Sequence, residues 1–329
     1  MRSFLLKNSK HFKCFSVQRF PIRSLSSNVL VNNDDFGGRG VVQRLKLNNP
    51  KKRNALSLAM LQELNHHFEL MEKQCISPTT TSESTSKTNE EQRLLRALVI
   101  SSNCEKIFSS GHDLKELAEN NDRKYHQLIF DECTKLMLRM RDLPVPVICQ
   151  VDGLAAAAGC QFVASCDIVL ATERSHFSTP GANVGLFCST PGIAVARSVH
   201  RRMAAYMLLT GRPINANEAL ISGLVTCISP SVEAMHSQFF FIVRFFSFIF
   251  FCYFLVQTES ILESIIAKPA SVIALGKQFL FKQLEMDNLA DAYSQGSKVM
   301  VDNLSMKDCQ EGIDAFLKKR QPKWTHSNE

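Results

Sequence analysis

Phe108-Ser-Ser-Gly-His-Asp-Leu-Lys-Glu-Leu117 and Asp152-Gly-Leu-Ala-Ala-Ala-Ala-Gly-Cys-Gln-Phe-Val-Ala-Ser-Cys-Asp167 follow one plan. Each comes after a short apolar run, Arg96-Ala-Leu-Val-Ile-Ser-Ser102 and Val145-Pro-Val-Ile-Cys-Gln-Val151, and leads through small residues into a helical pattern. Strand, turn and helix, repeated, imply an α/β fold. Small residues at the start of a helix leave its first backbone N–H groups free to donate, so the two stretches together read as an anion trap. Neither stretch, nor the segment that follows, offers a carboxylate where acid/base work on a substrate would need one. Asp113 and Asp167 sit where an Asp side chain caps or ties a turn through neighbouring amides.

Outward from these stretches, Gly40-Val-Val-Gln-Arg-Leu-Lys-Leu47 alternates as a strand. It runs through Asn48-Asn-Pro-Lys-Lys-Arg-Asn-Ala-Leu-Ser57 into a Ser-capped helix with Leu58, Leu61, Leu64 and Phe68 at helical spacing. Residues 77–92 are rich in Ser, Thr and Glu and predict a solvated loop. Cys166-Asp-Ile-Val-Leu-Ala171 predicts a buried strand, Ser175-His-Phe-Ser178 a short one, and Asn215 caps a helix that stops at Gly223. From Ser231 to the end the pattern is helical, so the organisation predicted is a leader over 1–27, a core over 36–230 and a C-terminal helical region over 231–329.

The chain has 329 residues and a net charge of +7. Arg2, Lys7, Lys10, Lys13, Arg19 and Arg23 account for almost all of that charge, and no acid precedes Asp34. With no basic stripe left elsewhere, nucleic-acid binding is not expected. The basic, Ser- and Phe-rich, acid-free leader has the composition of a mitochondrial presequence and predicts the mitochondrial matrix. The 11 cysteines lack metal-ligand spacing, so no metal site is expected and they read as reduced, mostly core thiols.

Phe239 to Val256 is almost wholly apolar, with Arg244 its only charge, and long enough to span a bilayer. Removing 239–257 joins Val232, Met235, Ile261, Leu262, Ile265 and Ile266 into one amphipathic face. Three readings stay open: translated non-coding sequence, a membrane anchor that would make the chain a tethered scaffold, or an apolar cap or partner surface.

At these residues the chain resembles the crotonase, or enoyl-CoA hydratase/isomerase, superfamily. The resemblance also takes in Asn49-Pro-Lys-Lys-Arg-Asn-Ala-Leu, Pro180-Gly-Ala-Asn-Val-Gly-Leu, Leu209-Thr-Gly-Arg-Pro-Ile and Gln310-Glu-Gly-Ile-Asp-Ala-Phe-Leu-Lys-Lys-Arg. It implies a crotonase-like spiral of ββα turns with a C-terminal helical region, assembled as homo-trimers or hexamers. It also implies acyl-CoA as ligand or substrate in fatty-acid metabolism, with no further cofactor. The oxyanion donors would be the amides of His112 and Ala158. Arg53, Ala55, the segment His112, Asp113, Leu114 and Lys115, together with Ala158 and Asn183, would line the CoA and acyl arms, and Phe316 and Lys319 would contact the nucleotide.

The two glutamates with which the superfamily's hydratases split water fall at Gln161 and Gly181. Glutamine can orient a water but cannot accept its proton, and glycine can do neither. Ordinary hydration is therefore not expected. Two classes of function remain: an acyl-CoA-binding protein, or an enzyme running decarboxylation of a malonyl-type thioester or isomerisation with Gln161, Asn183 or His112. Ser-Gly-His-Asp resembles the corresponding decarboxylase segment, which singles out the His112 side chain.

Overall fold

A computed structural model describes residues 27–36, 39–75, 94–232 and 258–327. The predicted leader up to residue 26, the loop 77–92 and the apolar stretch 239–257 lie outside the described residues. Among the described residues no helix is long and apolar enough to cross a membrane.

The strands are, in order, β2 (Val41–Leu47), β3 (Leu95–Ser102), β4 (Ile107–Ser109), β5 (Val147–Val151), β6 (Leu154–Ala156), β7 (Ile168–Thr172), β8 (His176–Ser178), β9 (Ile214–Asn215) and β10 (Cys227–Ser229), of which β2, β3, β5, β7 and β8 form where the sequence predicts them and the two- and three-residue strands β4, β6, β9 and β10 were too short to be read. They are preceded by β1 (Val29–Asp35), which the sequence did not predict because Asn32-Asn-Asp-Asp35 lacks an apolar alternation. β1 is recruited by antiparallel pairing with β2, Val29 opposite Leu47 through Asp35 opposite Val41.

Two sheets result, one ordered β1-β2-β3-β5-β7-β10 and the other β4-β6-β8-β9. The chain winds between them. A long buried strand enters the first sheet, a three-residue strand turns into the second, and a helix returns, as in β3–β4 and β5–β6. Within each sheet the successive turns pair in parallel, β3 with β5 and β4 with β6. This is the ββα spiral expected, and buried strands such as Val147–Val151 read as continuous apolar runs because both faces are covered.

The helices on the spiral are α1 (Leu58–Cys75), α2 (Leu114–Glu119), α3 (Arg123–Asp142), α4 (Ala158–Ala164), α5 (Ser189–Ser198), α6 (Arg201–Thr210) and α7 (Ala216–Ser222). Ser57 Oγ accepts from Met60 N at 3.3 Å, and α1 buries Leu61, Leu64 and Phe68 completely, as the spacing predicts. Asn215 and Glu218 close a capping box on α7.

The C-terminal region supplies α8 (Thr258–Ile266), α9 (Ala270–Leu284), α10 (Leu289–Ser305) and α11 (Lys307–Leu317). Leu262 and Ile266 of α8 pack on Val42, Val99 and Leu170 of the large sheet. Lys277 of α9 reaches into the core, where its ammonium lies 2.7 Å from Asp167 Oδ2 and donates to the Met140 and Val145 carbonyls at 3.0 Å each.

Candidate functional site

The loop that leaves β4 and the turn that enters α4 touch. Gly111 has φ +84°, which favours glycine, and a Cβ there would lie 2.8 Å from the Ala156 carbonyl and 3.1 Å from Ala158 N. A Cβ at Gly159 would lie 2.6 Å from the Ser109 carbonyl. The small residues of the two stretches are thus required by close approach of backbone to backbone. Phe108 and Phe162, both fully buried, pack at a ring separation of 6.1 Å and anchor the segments from beneath.

The turn into α4 is made by Ala157, at φ 49° and ψ −119°, with its N–H donating to the Ser178 carbonyl at 2.9 Å. A side chain in that region costs about 1–3 kcal/mol. Ala157→Gly is therefore expected to raise the melting temperature or leave it unchanged, since strain relief exceeds the ~0.5–1 kcal/mol entropy cost of glycine. Thermal denaturation checks this; a clear drop would mean that the turn carries no strain.

A third segment completes the site. Leu56 N donates to the Gly111 carbonyl at 2.8 Å and Ser110 N to the Arg53 carbonyl at 3.1 Å. Arg53 and Asn54 both take left-handed φ, 53° and 49°. Asn54 suits that position, and its buried amide accepts from Asn49 N at 2.7 Å while donating to Ser102 Oγ and the Phe108 carbonyl. Asn54 was not singled out from sequence; an Asn in a turn next to Ala55 and Leu56 is the available signal. Ala55 is buried and Arg53 exposed.

Among the described residues, the backbone N–H groups of His112 and Ala158 donate to no protein acceptor. His112 follows Gly111 directly, and Ala158 N lies 3.1 Å from where a Gly111 Cβ would stand. The His112 ring is held by Leu56, whose carbonyl lies 3.1 Å from Nδ1, and by Phe130, against which it packs edge-on at 5.0 Å. Its Nε2 is buried with no partner. Burial pushes the imidazole below its ordinary pKa, so the ring is neutral near pH 7.

Asp113 is a cap, as predicted: Oδ1 accepts from Lys115 N and Glu116 N at 3.2 Å each, and Oδ2 pairs with Lys52 at 2.8 Å. The Lys52 hydrogen bond, with the cap amides, holds its carboxyl below the usual range. Leu114 and Lys115 are exposed on α2. Asp167 ties β5 by accepting from Val147 N at 2.6 Å, but its ion pair with Lys277 was not legible in the sequence.

Gln161 is 6% exposed on α4, and its Oε1 has no partner; Thr179 Oγ1, after β8, is likewise buried and unpartnered. Gly181 opens the short helix Pro180–Val184, and a Cβ there would overlap the Leu186 carbonyl oxygen and lie 2.8 Å from Cys188 Sγ. No side chain, acidic or otherwise, fits at 181 without moving that loop. Gly181 N donates to Cys188 Sγ at 3.3 Å, and burial pushes the Cys188 thiol up; Cys160 is pushed up to about 12. Neither is a thiolate at neutral pH.

Asn183 is exposed, and its amide lies against Gly211, 3.0 Å from where a Cβ would stand, next to the Leu209-Thr-Gly turn. Phe316, 82% exposed, and Lys319, just past α11, belong to the layer in which α11 packs on α9 and α10. The segments at 53–56, 108–115 and 156–161 therefore converge within one chain. No contact ties Asn183, Phe316 or Lys319 to these segments among the described residues: Asn183 lies against Gly211, and Phe316 and Lys319 belong to the C-terminal helical layer. Among the described residues no cluster of His, Cys, Asp and Glu could hold a metal ion.

The enoyl-CoA hydratase/isomerase family model matches residues 38–245. The chain is 45% identical over 285 residues to human "Enoyl-CoA hydratase domain-containing protein 3, mitochondrial", covering 87% of this chain and 81% of that protein. It is 26% identical to "Enoyl-CoA hydratase, mitochondrial" of Pongo abelii, covering 87% and 84%. The crystal structure of human enoyl Coenzyme A hydratase domain-containing protein 3 superposes with a TM-score of 0.71 at 43% identity, over 89% of this chain and 99% of that one. An enoyl-CoA hydratase from Mycobacterium smegmatis gives 0.72 at 34% identity, over 89% and 98%.

Proposed function

The chain belongs to the enoyl-CoA hydratase/isomerase family, and from that premise we propose that it binds an acyl-CoA in mitochondrial fatty-acid metabolism without catalysing ordinary enoyl-CoA hydration. One observation carries this reading: Gly111 seats against the Ala156–Ala158 turn, and the His112 and Ala158 amides next to that contact are unpaired among the described residues. Two fixed donors aimed at one thioester oxygen would favour the enolate form of the acyl group, since they need no rearrangement as charge develops.

Around that oxygen, Arg53 and Ala55 would run beside the pantetheine and nucleotide, with Asp113, Leu114 and Lys115 on the opposite edge. Asn183 is a candidate for the acyl end. Phe316 and Lys319 would reach a CoA nucleotide only from a neighbouring subunit. Support for a homo-trimer or hexamer comes from the apolar side chains that the C-terminal helices leave exposed, among them Leu289, Tyr293, Val301 and Phe316. The matrix location rests on the leader's composition and on the mitochondrial names of the relatives.

Against hydration stand Gln161 and Gly181, the latter with its side-chain space already filled by Leu186. Removal of a positioned acid or base costs roughly 10²–10⁴ in rate. The full chain mixed with crotonyl-CoA is expected to bind the thioester, while loss of the conjugated enoyl absorbance stays at least about 10²-fold slower than with a two-glutamate hydratase of the family. Turnover at a hydratase's rate would refute this. A second reading, an enzyme that uses the oxyanion donors for decarboxylation or isomerisation and draws on Gln161, Asn183 or His112, is favoured by the unpartnered Nε2 of His112.

A further inference from the structure

Three of the buried polar side-chain atoms without a protein partner lie on segments of the site: His112 Nε2 after β4, Gln161 Oε1 on α4 and Thr179 Oγ1 after β8. The contacts that bring those segments together are the Gly111 approach to Ala158 and the Ala157 N–H bond to the Ser178 carbonyl. Buried polar atoms are ordinarily satisfied, so the orphan on the His112 ring, in the same residue as an unpaired backbone N–H, marks a place where a ligand's own group can be met. Of the three, only one is a base. An amide oxygen and a hydroxyl do not take up a proton near neutral pH, whereas an imidazole nitrogen does.

The tautomer is dictated by geometry. The Leu56 carbonyl can only accept, so Nδ1 carries the proton and Nε2 presents a lone pair. The Phe130 edge contact fixes the ring plane. The neighbouring carboxylates are occupied: Asp113 by Lys52 and the α2 amides, Glu116 by Leu58 N and the Tyr125 hydroxyl. We infer that the His112 imidazole is the proton acceptor of this site, taking a proton from the α-carbon of a bound acyl thioester while the backbone amides of His112 and Ala158 hold the thioester oxygen.

The inference rests on the acyl-CoA reading above. In the step, the α C–H bond breaks and an Nε2–H bond forms. The electron pair left on carbon delocalises onto the thioester oxygen as an enolate. The imidazolium exchanges its proton with solvent and returns one to the α-carbon, so the thioester is regenerated with a solvent hydrogen. No oxidant, reductant or second substrate is consumed. Glu116 on α2 is the charged side chain facing the ring, the 49–57 segment offers the Leu56 carbonyl, and α3 offers Phe130.

The test uses the full chain and butyryl-CoA in D2O, with mass spectrometry of the thioester for α-exchange and calorimetry for affinity. His112→Gln keeps the backbone amide and removes the base. Exchange is expected to fall by about 10²-fold or more with affinity within about threefold, and added imidazole is expected to restore exchange in His112→Ala. Wild-type exchange should rise with pH along one limb whose midpoint lies below the ordinary 6.5 of histidine, then level off, because burial favours the neutral ring.

Binding without wild-type exchange, or exchange that survives His112→Gln, would overturn the inference and leave the acyl-CoA reading standing. Absence of butyryl-CoA binding would overturn both. If His112→Gln does not fold, the wild-type profile decides: a midpoint in the carboxylate range would assign the base elsewhere.

Discussion

Replacing Gly111 with valine is expected to lower affinity for acetoacetyl-CoA, a thioester that readily presents an enolate oxygen, by roughly 10–10²-fold, the worth of about 1.5–3 kcal/mol for a hydrogen bond to a charged group. The added Cβ would stand 2.8 Å from the Ala156 carbonyl and 3.1 Å from Ala158 N, at a φ of +84° that a β-branched residue resists. It would cover one of the two free N–H groups and push apart the segments that carry both. The effect must be read beside circular dichroism and thermal melting of the same sample. A folded Gly111→Val protein that binds acetoacetyl-CoA as well as the wild type would show that these amides are not the site.

Lys277→Met is expected to destabilise the protein by about 3–5 kcal/mol, because it leaves the Asp167 carboxylate buried without its cation. For a chain of this size that is a drop on the order of 10 °C in melting temperature. The Lys277 ammonium meets Asp167 Oδ2 and two backbone carbonyls, and both side chains are shielded from water. Burial already pushes the Asp167 carboxyl up despite Lys277. Adding Asp167→Leu to Lys277→Met should recover much of the loss, since the stranded charge is then gone. A single variant that melts like the wild type would remove the pair from any role in fastening α9 to the spiral.

What could be read from sequence was local. The helix after the small residues of 153–159, the Asp113 cap on α2 and the Asn215 cap of a helix that stops at Gly223 follow from neighbouring residues and are found as expected. So are the long buried strands, because each is a continuous apolar run, whereas the short second strand of each ββα turn was implied only by the family resemblance. β1 escaped because its polar residues are held by pairing with β2, and the Asp167 ion pair because Lys277 lies on a distant helix. The neutral tautomer of His112 depends on the Leu56 carbonyl 56 residues away. The absence of a residue at Gly181 was visible at once; that the Leu186 carbonyl fills the space was not. Restoring a carboxylate there would therefore displace a loop as well as add an acid.

The most direct measurement is a crystal structure of the full chain with an acyl-CoA bound. The thioester oxygen is expected within about 2.7–3.1 Å of both His112 N and Ala158 N, with the acyl α-carbon facing His112 Nε2. An acyl-CoA whose thioester lies elsewhere, with those two amides still unengaged, would contradict the account.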